Sequence, residues 1–206
     1  MRAAGCILVL VWVTVMSACT AIGVVSSSDP LTKLNDAQVL YLRKNRPVPA
    51  ERLIQEALAI YQREGDEHGL GIAYREYGDF LKSAAVEQWR PMYERGGGFL
   101  DRSITFDSRV SKAREFYSMA LEHLQQAVSQ SESAGRYDEL TNVYYNMVWS
   151  HLALGEQAKA CEDFNHVFAA YSENIRRHSD AKPVTSRGFD TLPEELAYRK
   201  RQVGCQ

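Results

Sequence analysis

A pair of amphipathic helices folded back on each other is the feature that most limits what this chain can form. Between residues 143 and 171, apolar residues recur every three or four positions along two successive faces: Tyr144, Met147, Val148, His151 and Leu152, then Ala160, Phe164, Val167 and Phe168. Gly155 lies between the two faces and can adopt the positive φ that ends a helix. The sequence therefore predicts an all-α fold built from helical hairpins.

The second-helix pattern occurs twice more, earlier in the chain. A small, a large and a small residue stand at the same spacing in Ala113, Tyr117 and Ala120, and in Ala50, Ile54 and Ala57. Small residues let two helices approach closely, and the large residue one turn away fills the space between them. A single hairpin cannot bury its own apolar face, so we expect several to stack.

These segments resemble the tetratricopeptide repeat, although Val148 and Val167 stand where that family prefers small residues. The resemblance implies an array of antiparallel hairpins, a right-handed solenoid of about three hairpins plus a C-terminal capping helix. The first hairpin is expected over residues 31–64 with its turn at 46–49. The second begins near Leu70 and its second helix runs from Ser108 to Ser133. The capping helix is expected at about 192–203.

An insertion at about 87–109 separates the two helices of the second hairpin. Its aromatic residues alternate with arginines, and Gly96–Gly98 could serve as a hinge: Trp89, Tyr93, Phe99 and Phe106 with Arg90, Arg95, Arg102 and Arg109. That composition is typical of interface hot spots and favours a partner-specific element. The alternative is that the aromatic residues pack on the second hairpin and brace it.

The N-terminal segment predicts export and lipid attachment. Residues 1–18 have a short positive start and an apolar run, as secretory signals do. Met16–Cys19 resembles a bacterial lipobox, which implies lipid on Cys19, a flexible tether over 19–30 and a folded domain over 31–206. The alternative is an uncleaved signal anchor. The resemblance implies a Gram-negative lipoprotein of the outer membrane that faces the periplasm, because Arg2 stays cytoplasmic and Thr20 permits sorting.

Composition and motifs argue against catalysis and against nucleic acid. The formal net charge is −2 with both signs interspersed along the chain, so no strongly basic patch is expected. The histidines show no metal-binding spacing, His151 is interpreted as a packing residue, and Glu162 with Asp163 is expected on a solvated helix face. We therefore expect no enzyme activity, no metal and no cofactor.

The remaining cysteines, Cys161 and Cys205, would reach an oxidising compartment. They either pair in a disulfide or stay as one buried and one exposed thiol.

In the tetratricopeptide family the first helices line a groove that binds another protein. By that resemblance the groove residues are Arg43, Arg75, Asp79, Lys82, Tyr145, Asn146 and Trp149, and the insertion adds Trp89, Tyr93, Arg95, Phe99 and Arg102. Trp149 could instead pack on the capping helix. The resemblance implies a protein-binding lipoprotein, either an immunity-type protein that neutralises a periplasmic toxin, such as a type VI secretion effector, or a pilotin-like envelope or pilus assembly factor. An enzyme of unrecognised family is the third alternative.

Overall fold

The computed structural model describes residues 27–179, 185 and 188–205, and the regular structure of those residues is helical, without a strand. The helices are α1 (Pro30–Arg43), α2 (Pro47–Glu64), α3 (Glu67–Leu81), α4 (Ala84–Gln88), α5 (Arg90–Arg95), α6 (Arg109–Ala134), α7 (Tyr137–Leu154), α8 (Gln157–Arg177) and α9 (Leu192–Gln202). The predicted all-α class is confirmed. Across the described ranges, no helix combines the length and apolar composition that a membrane span requires.

Three glycines set the tight turns between long helices. Gly65, Gly135 and Gly155 follow α2, α6 and α7 with φ of 67°, 66° and 83°, a region that side chains enter only with strain. After each glycine, the next backbone N–H donates to a carbonyl five residues earlier, which closes the helix end. The following helix therefore runs antiparallel to the one before it.

Consecutive long helices pack side by side, α1 on α2, α2 on α3, α3 on α6, α6 on α7 and α7 on α8, and α9 packs on α8. Alternate helices also touch, because α1 contacts α3 and α3 contacts α7. Both pairs run in the same direction. Tyr41 near the end of α1 meets Phe80 near the end of α3, and His68 early in α3 faces Glu139 early in α7.

Glycines allow α3 and α6 to approach closely. A Cβ atom on Gly78 would lie 2.7 Å from Tyr117 Cε1, and one on Gly71 would lie 2.5 Å from Leu124 Cγ. Neither distance accommodates a side chain without moving its neighbour. The two glycines thus explain how large residues of α6 can fill the space beside α3.

The predicted insertion is more ordered than its sequence suggested. It contains the end of α4 and the whole of α5, followed by irregular backbone up to the start of α6. Ser83 caps α4 by accepting a hydrogen bond from the Val86 N–H. The insertion is part of the hydrophobic core that α1, α2 and α3 form with the first part of α6. Four of its residues are buried in that core: Tyr93, Phe99, Ile104 and Phe106.

Candidate protein-binding surface

The surface shared by α1, α3 and α7 is the candidate site, because these parallel helices carry most of the predicted groove residues. On α3, Arg75 Nη1 donates to Asp79 Oδ2 at 3.0 Å, and the Tyr117 hydroxyl donates to Asp79 Oδ1 at 2.8 Å. Lys82 lies over the Tyr117 ring, 5.4 Å from its centroid. The structure therefore brings Arg75, Asp79 and Lys82 together in one polar cluster held by α6.

The buried carboxyl group of Glu76 contacts Arg75 of this cluster. Glu76 is buried on α3, where Oε1 accepts a 2.7 Å hydrogen bond from the Tyr41 hydroxyl of α1 and Oε2 lies 3.8 Å from Arg75. Burial raises the pKa of Glu76 above its usual value, since water is excluded from the charged form. The polar contacts from Tyr41 to Asp79 fix the relative positions of α1 and α3.

The first helix contributes an apolar part that the sequence prediction missed. Val39 is 40% exposed and Leu42 is 62% exposed. They lie three residues apart on α1, and Arg43 is four residues after Val39, so all three share a helix face. The sequence pattern indicates that Val39 and Leu42 are exposed, because they fall outside the buried stripe of Leu34, Ala37 and Tyr41.

Two of the three predicted groove residues of α7, Tyr145 and Trp149, contact α9 and are half-buried. The Tyr145 hydroxyl donates to Glu195 Oε1 at 3.1 Å. Trp149 packs against an apolar cluster that includes Leu192 and Leu196 of α9. Its ring centroid lies 5.9 Å from the guanidinium carbon of Arg199. Asn146 donates within its own helix to the Asn142 carbonyl. Tyr145 and Trp149 therefore hold the last helix in place.

The insertion requires a correction, because two of its predicted binding residues are core residues. Phe99 is 0% exposed and Tyr93 is 3% exposed, and their rings stack with centroids 4.2 Å apart. Phe106 is also buried, with the Arg109 guanidinium 3.8 Å from its ring centroid. Tyr93 and Phe99 cannot meet a partner without unfolding the insertion, so the bracing alternative describes them.

A buried glutamate ties the insertion to α2. Glu51 Oε1 accepts hydrogen bonds from the Tyr77 hydroxyl at 3.0 Å and from the Leu100 N–H at 2.8 Å. Burial raises the pKa of Glu51 to about 7. Nothing in the sequence near Glu51 distinguishes a buried carboxyl group from an exposed one near the start of a helix.

Other insertion residues stay on the surface. Trp89 is 39% exposed at the junction of α4 and α5, and Arg95 and Arg102 are exposed. Of these three residues, Arg102 lines a 380 Å³ cavity, whose walls also include Tyr93 and Glu94. The braced insertion thus presents one large aromatic residue and several cations on a rigid support.

The turn between α7 and α8 contains an acid–histidine cluster that differs from the sequence expectation. His151 Nδ1 lies 2.7 Å from Glu156 Oε2, and its Nε2 lies 3.5 Å from Asp163 Oδ2. Asp163 is buried, against the prediction of a solvated face, and burial raises its pKa to about 7. His151 packs in the core as interpreted, with both ring nitrogens facing carboxylates.

Nothing in the described part of the chain groups three or more histidine, cysteine or acidic residues in a way that could hold a metal. Cys161 and Cys205 form a disulfide that links the start of α8 to the residues after α9, with Cα atoms 5.5 Å apart. The Gln157 amide donates to the Val203 carbonyl beside it. The end of the chain is therefore attached to α8 covalently and by a hydrogen bond.

The predicted signal, the Cys19 lipidation site and most of the tether lie outside the described residues. Comparison of the whole chain with protein-family models, with curated proteins and with solved structures found no match.

Proposed function

We propose that this chain is a lipid-anchored protein of the outer membrane, facing the periplasm, whose helical array binds another protein. The surface of α1 and α3 would form the binding site, with the exposed part of the insertion beside it. The proposal assigns recognition to the folded domain and attachment to Cys19. No reaction is assigned to the protein.

The helix arrangement supports a tetratricopeptide-like scaffold. Each long helix packs on the next long helix, and α3 lies in parallel contact with both α1 and α7, as the first helices of stacked hairpins do. The small residues of the repeat pattern, Ala50, Ala113 and Ala160, are fully buried where helices meet. Such an array presents the first helices as a continuous surface, which suits extended contact with a partner.

The exposed apolar residues of α1 carry the proposal most directly. Val39 and Leu42 leave apolar area in water beside Arg43, and the polar cluster of Arg75 and Asp79 is held in place on the neighbouring α3. An arginine beside exposed apolar area supports a binding surface, because interfaces are enriched in arginine and bury apolar area. Because α3 is fixed by α6 and α1, little ordering cost would accompany binding.

The anchor has its own test. Lipid attachment requires the Cys19 thiol, so Cys19→Ala should abolish incorporation of a radiolabelled fatty acid while the wild-type chain is labelled. A Cys19→Ala chain that still carries label would remove the lipid anchor from the proposal. The binding surface would be unaffected by that outcome.

Two biological roles are compatible with binding, and the neighbouring genes distinguish them. An immunity-type role predicts a toxin gene beside this gene, with the toxin as the bound partner. An assembly role predicts neighbouring genes for pilus or envelope components. We favour the immunity role, and a gene neighbourhood without a toxin would argue against it.

The binding site is tested by site-specific cross-linking in cells. A photoreactive amino acid at position 42 should form a discrete adduct with a partner. The same group at position 129, an exposed serine on α6, is the matched control and should form none. Absence of an adduct at 42, or identical adducts at both positions, would contradict the proposed surface.

A further inference from the structure

Charges that alternate along the sequence are segregated in the folded protein. Because α1, α3 and α7 run in parallel, their C-terminal ends lie at one edge of the array, together with the starts of α2, α6 and α8. Tyr117, early in α6, contacts Asp79 near the end of α3, and Arg114 of α6 donates to the carbonyl of Leu154 at the end of α7. We call this side, with the insertion attached to it, the basic edge.

Cations of the basic edge outnumber the acids available to neutralise them. Within the described residues, cations of the basic edge that form no ion pair include Arg43, Lys44, Arg46, Lys82, Arg95, Arg102 and Arg114. Most of its acids are paired, as Glu87 is with Arg109 and Glu115 is with Lys112. Asp101 and Asp107 are the insertion acids without an ion pair, so the edge keeps an excess of positive charge.

Helix stability accounts for the cations at the end of α1, where Arg43 lies in the last turn, but not for those at the start of α6. Acidic residues are favourable in the first turn of a helix and basic residues in its last turn. The three helices that begin at the basic edge, α2, α6 and α8, have no acidic residue in the first turn. α6 begins instead with Arg109 and Lys112, which oppose the helix dipole.

The opposite edge carries the reverse charge. The helices α3 and α7 begin there, and both have acidic first turns, while Asp29 caps α1 at the same edge. α2 ends there with Arg63 and Glu64, and the two arginines that end α8 there, Arg176 and Arg177, are paired with Glu173. The chain also enters the fold at this acidic edge, because α1 begins at Pro30.

The point at which the chain enters the fold sets the distance between the basic edge and a membrane anchor. α1 has 14 residues, so the two edges lie about 21 Å apart at 1.5 Å per residue. The anchor predicted at Cys19 would attach to the acidic edge, so the basic edge is the side of the fold farther from the attachment point. Anionic lipid of the anchoring membrane is therefore the less favoured ligand.

We propose that the basic edge binds an acidic protein surface, which the partner of the proposed scaffold presents. This inference rests on the proposed function and adds the charge of the partner. Complementary charge accelerates association and excludes partners of the wrong sign. Binding at the basic edge is weakened by salt, because exposed charges are screened.

Charge reversal on the full chain tests the inference with poly-glutamate as the probe of an acidic surface. The variant Lys44→Glu/Arg114→Glu changes one helix end and one helix start at the basic edge. Its matched control, Arg63→Glu/Arg136→Glu, makes the same net charge change at the opposite edge. We expect poly-glutamate binding to fall about tenfold or more in the first variant only, with melting temperatures of both variants close to wild type.

The same proteins are titrated with phosphatidylglycerol vesicles and with duplex DNA. Tighter binding of vesicles or DNA than of poly-glutamate would overturn the inference. So would an equal loss of poly-glutamate binding in the two variants, or a wild-type protein that does not bind poly-glutamate. If the cross-linked partner at position 42 is retained in full by Lys44→Glu/Arg114→Glu, the edge inference fails and the proposed function stands. If position 42 forms no adduct while edge-dependent poly-glutamate binding persists, only the proposed function fails.

Discussion

One buried carboxyl group, that of Glu51, helps to attach the insertion to α2, and its ionisation gives a measurable signature. Glu51 is 1% exposed, and one oxygen accepts both the Tyr77 hydroxyl and the Leu100 N–H. Burial raises its pKa from 4.5 to about 7 because the charged form loses its hydration. The carboxyl group of Glu51 therefore binds its proton more tightly in the folded state than in the unfolded state.

The sign of the pH effect follows from that difference. The stability that Glu51 contributes is fully present below pH 4.5 and is lost as the pH rises through about 7. The difference between the two pKa values corresponds to about 3 kcal/mol. Glu51→Gln keeps an oxygen that accepts both hydrogen bonds and cannot ionise. When the pH is raised from below 4.5 to above 7, the free energy of unfolding should fall by about 3 kcal/mol more for the wild type than for Glu51→Gln.

Urea unfolding across that pH range, followed by circular dichroism, measures both proteins. Other titrating groups, including Asp163, are shared by the two proteins and cancel in the difference. Glu64→Gln is the matched control, because Glu64 is exposed near the end of the same helix, and its curve should follow the wild type. Parallel curves for the wild type and Glu51→Gln would refute the link between burial of Glu51 and stability.

Three further changes test the packing. Ala120→Leu should cost about 1 to 3 kcal/mol because Ala120 is fully buried, whereas Ser129→Leu on the exposed side should cost under about 0.5 kcal/mol; equal melting temperatures would mean the helix faces are misassigned. Phe99→Ala should cost about 3 to 5 kcal/mol by chemical denaturation, and an unchanged denaturation midpoint would contradict its place in the core. Cys161→Ser should lower stability by about 2 to 4 kcal/mol, since the bridge spans 44 residues, and thiol titration of the unreduced wild type should find neither Cys161 nor Cys205 reactive.

The helices themselves could be predicted from the sequence because their signals are local. The periodicity around Ala50, Ala113 and Ala160 marked buried faces that the structure also buries. Gly65, Gly135 and Gly155 end helices where the pattern breaks. Spacing and turn chemistry act within a few residues, so one sequence is enough to read them.

Long-range contacts could not be read in the same way. Aromatic and arginine residues occur both in interfaces and in buried braces, so composition alone did not show that Phe99 packs inward. Glu51 meets Leu100 across 49 positions, and Tyr145 meets Glu195 across 50. The basic edge was missed for the same reason, since it forms only when distant helix ends are brought to one side.

The central claim is that the surface of α1 binds a protein, and the affinity of the cross-linked partner for Leu42→Asp tests it most directly. Leu42 is 62% exposed, so the change should leave the melting temperature close to wild type. The account predicts that Leu42→Asp weakens binding about tenfold or more by calorimetry, while Ser129→Asp binds as wild type does. Unchanged affinity of Leu42→Asp for that partner would contradict the account.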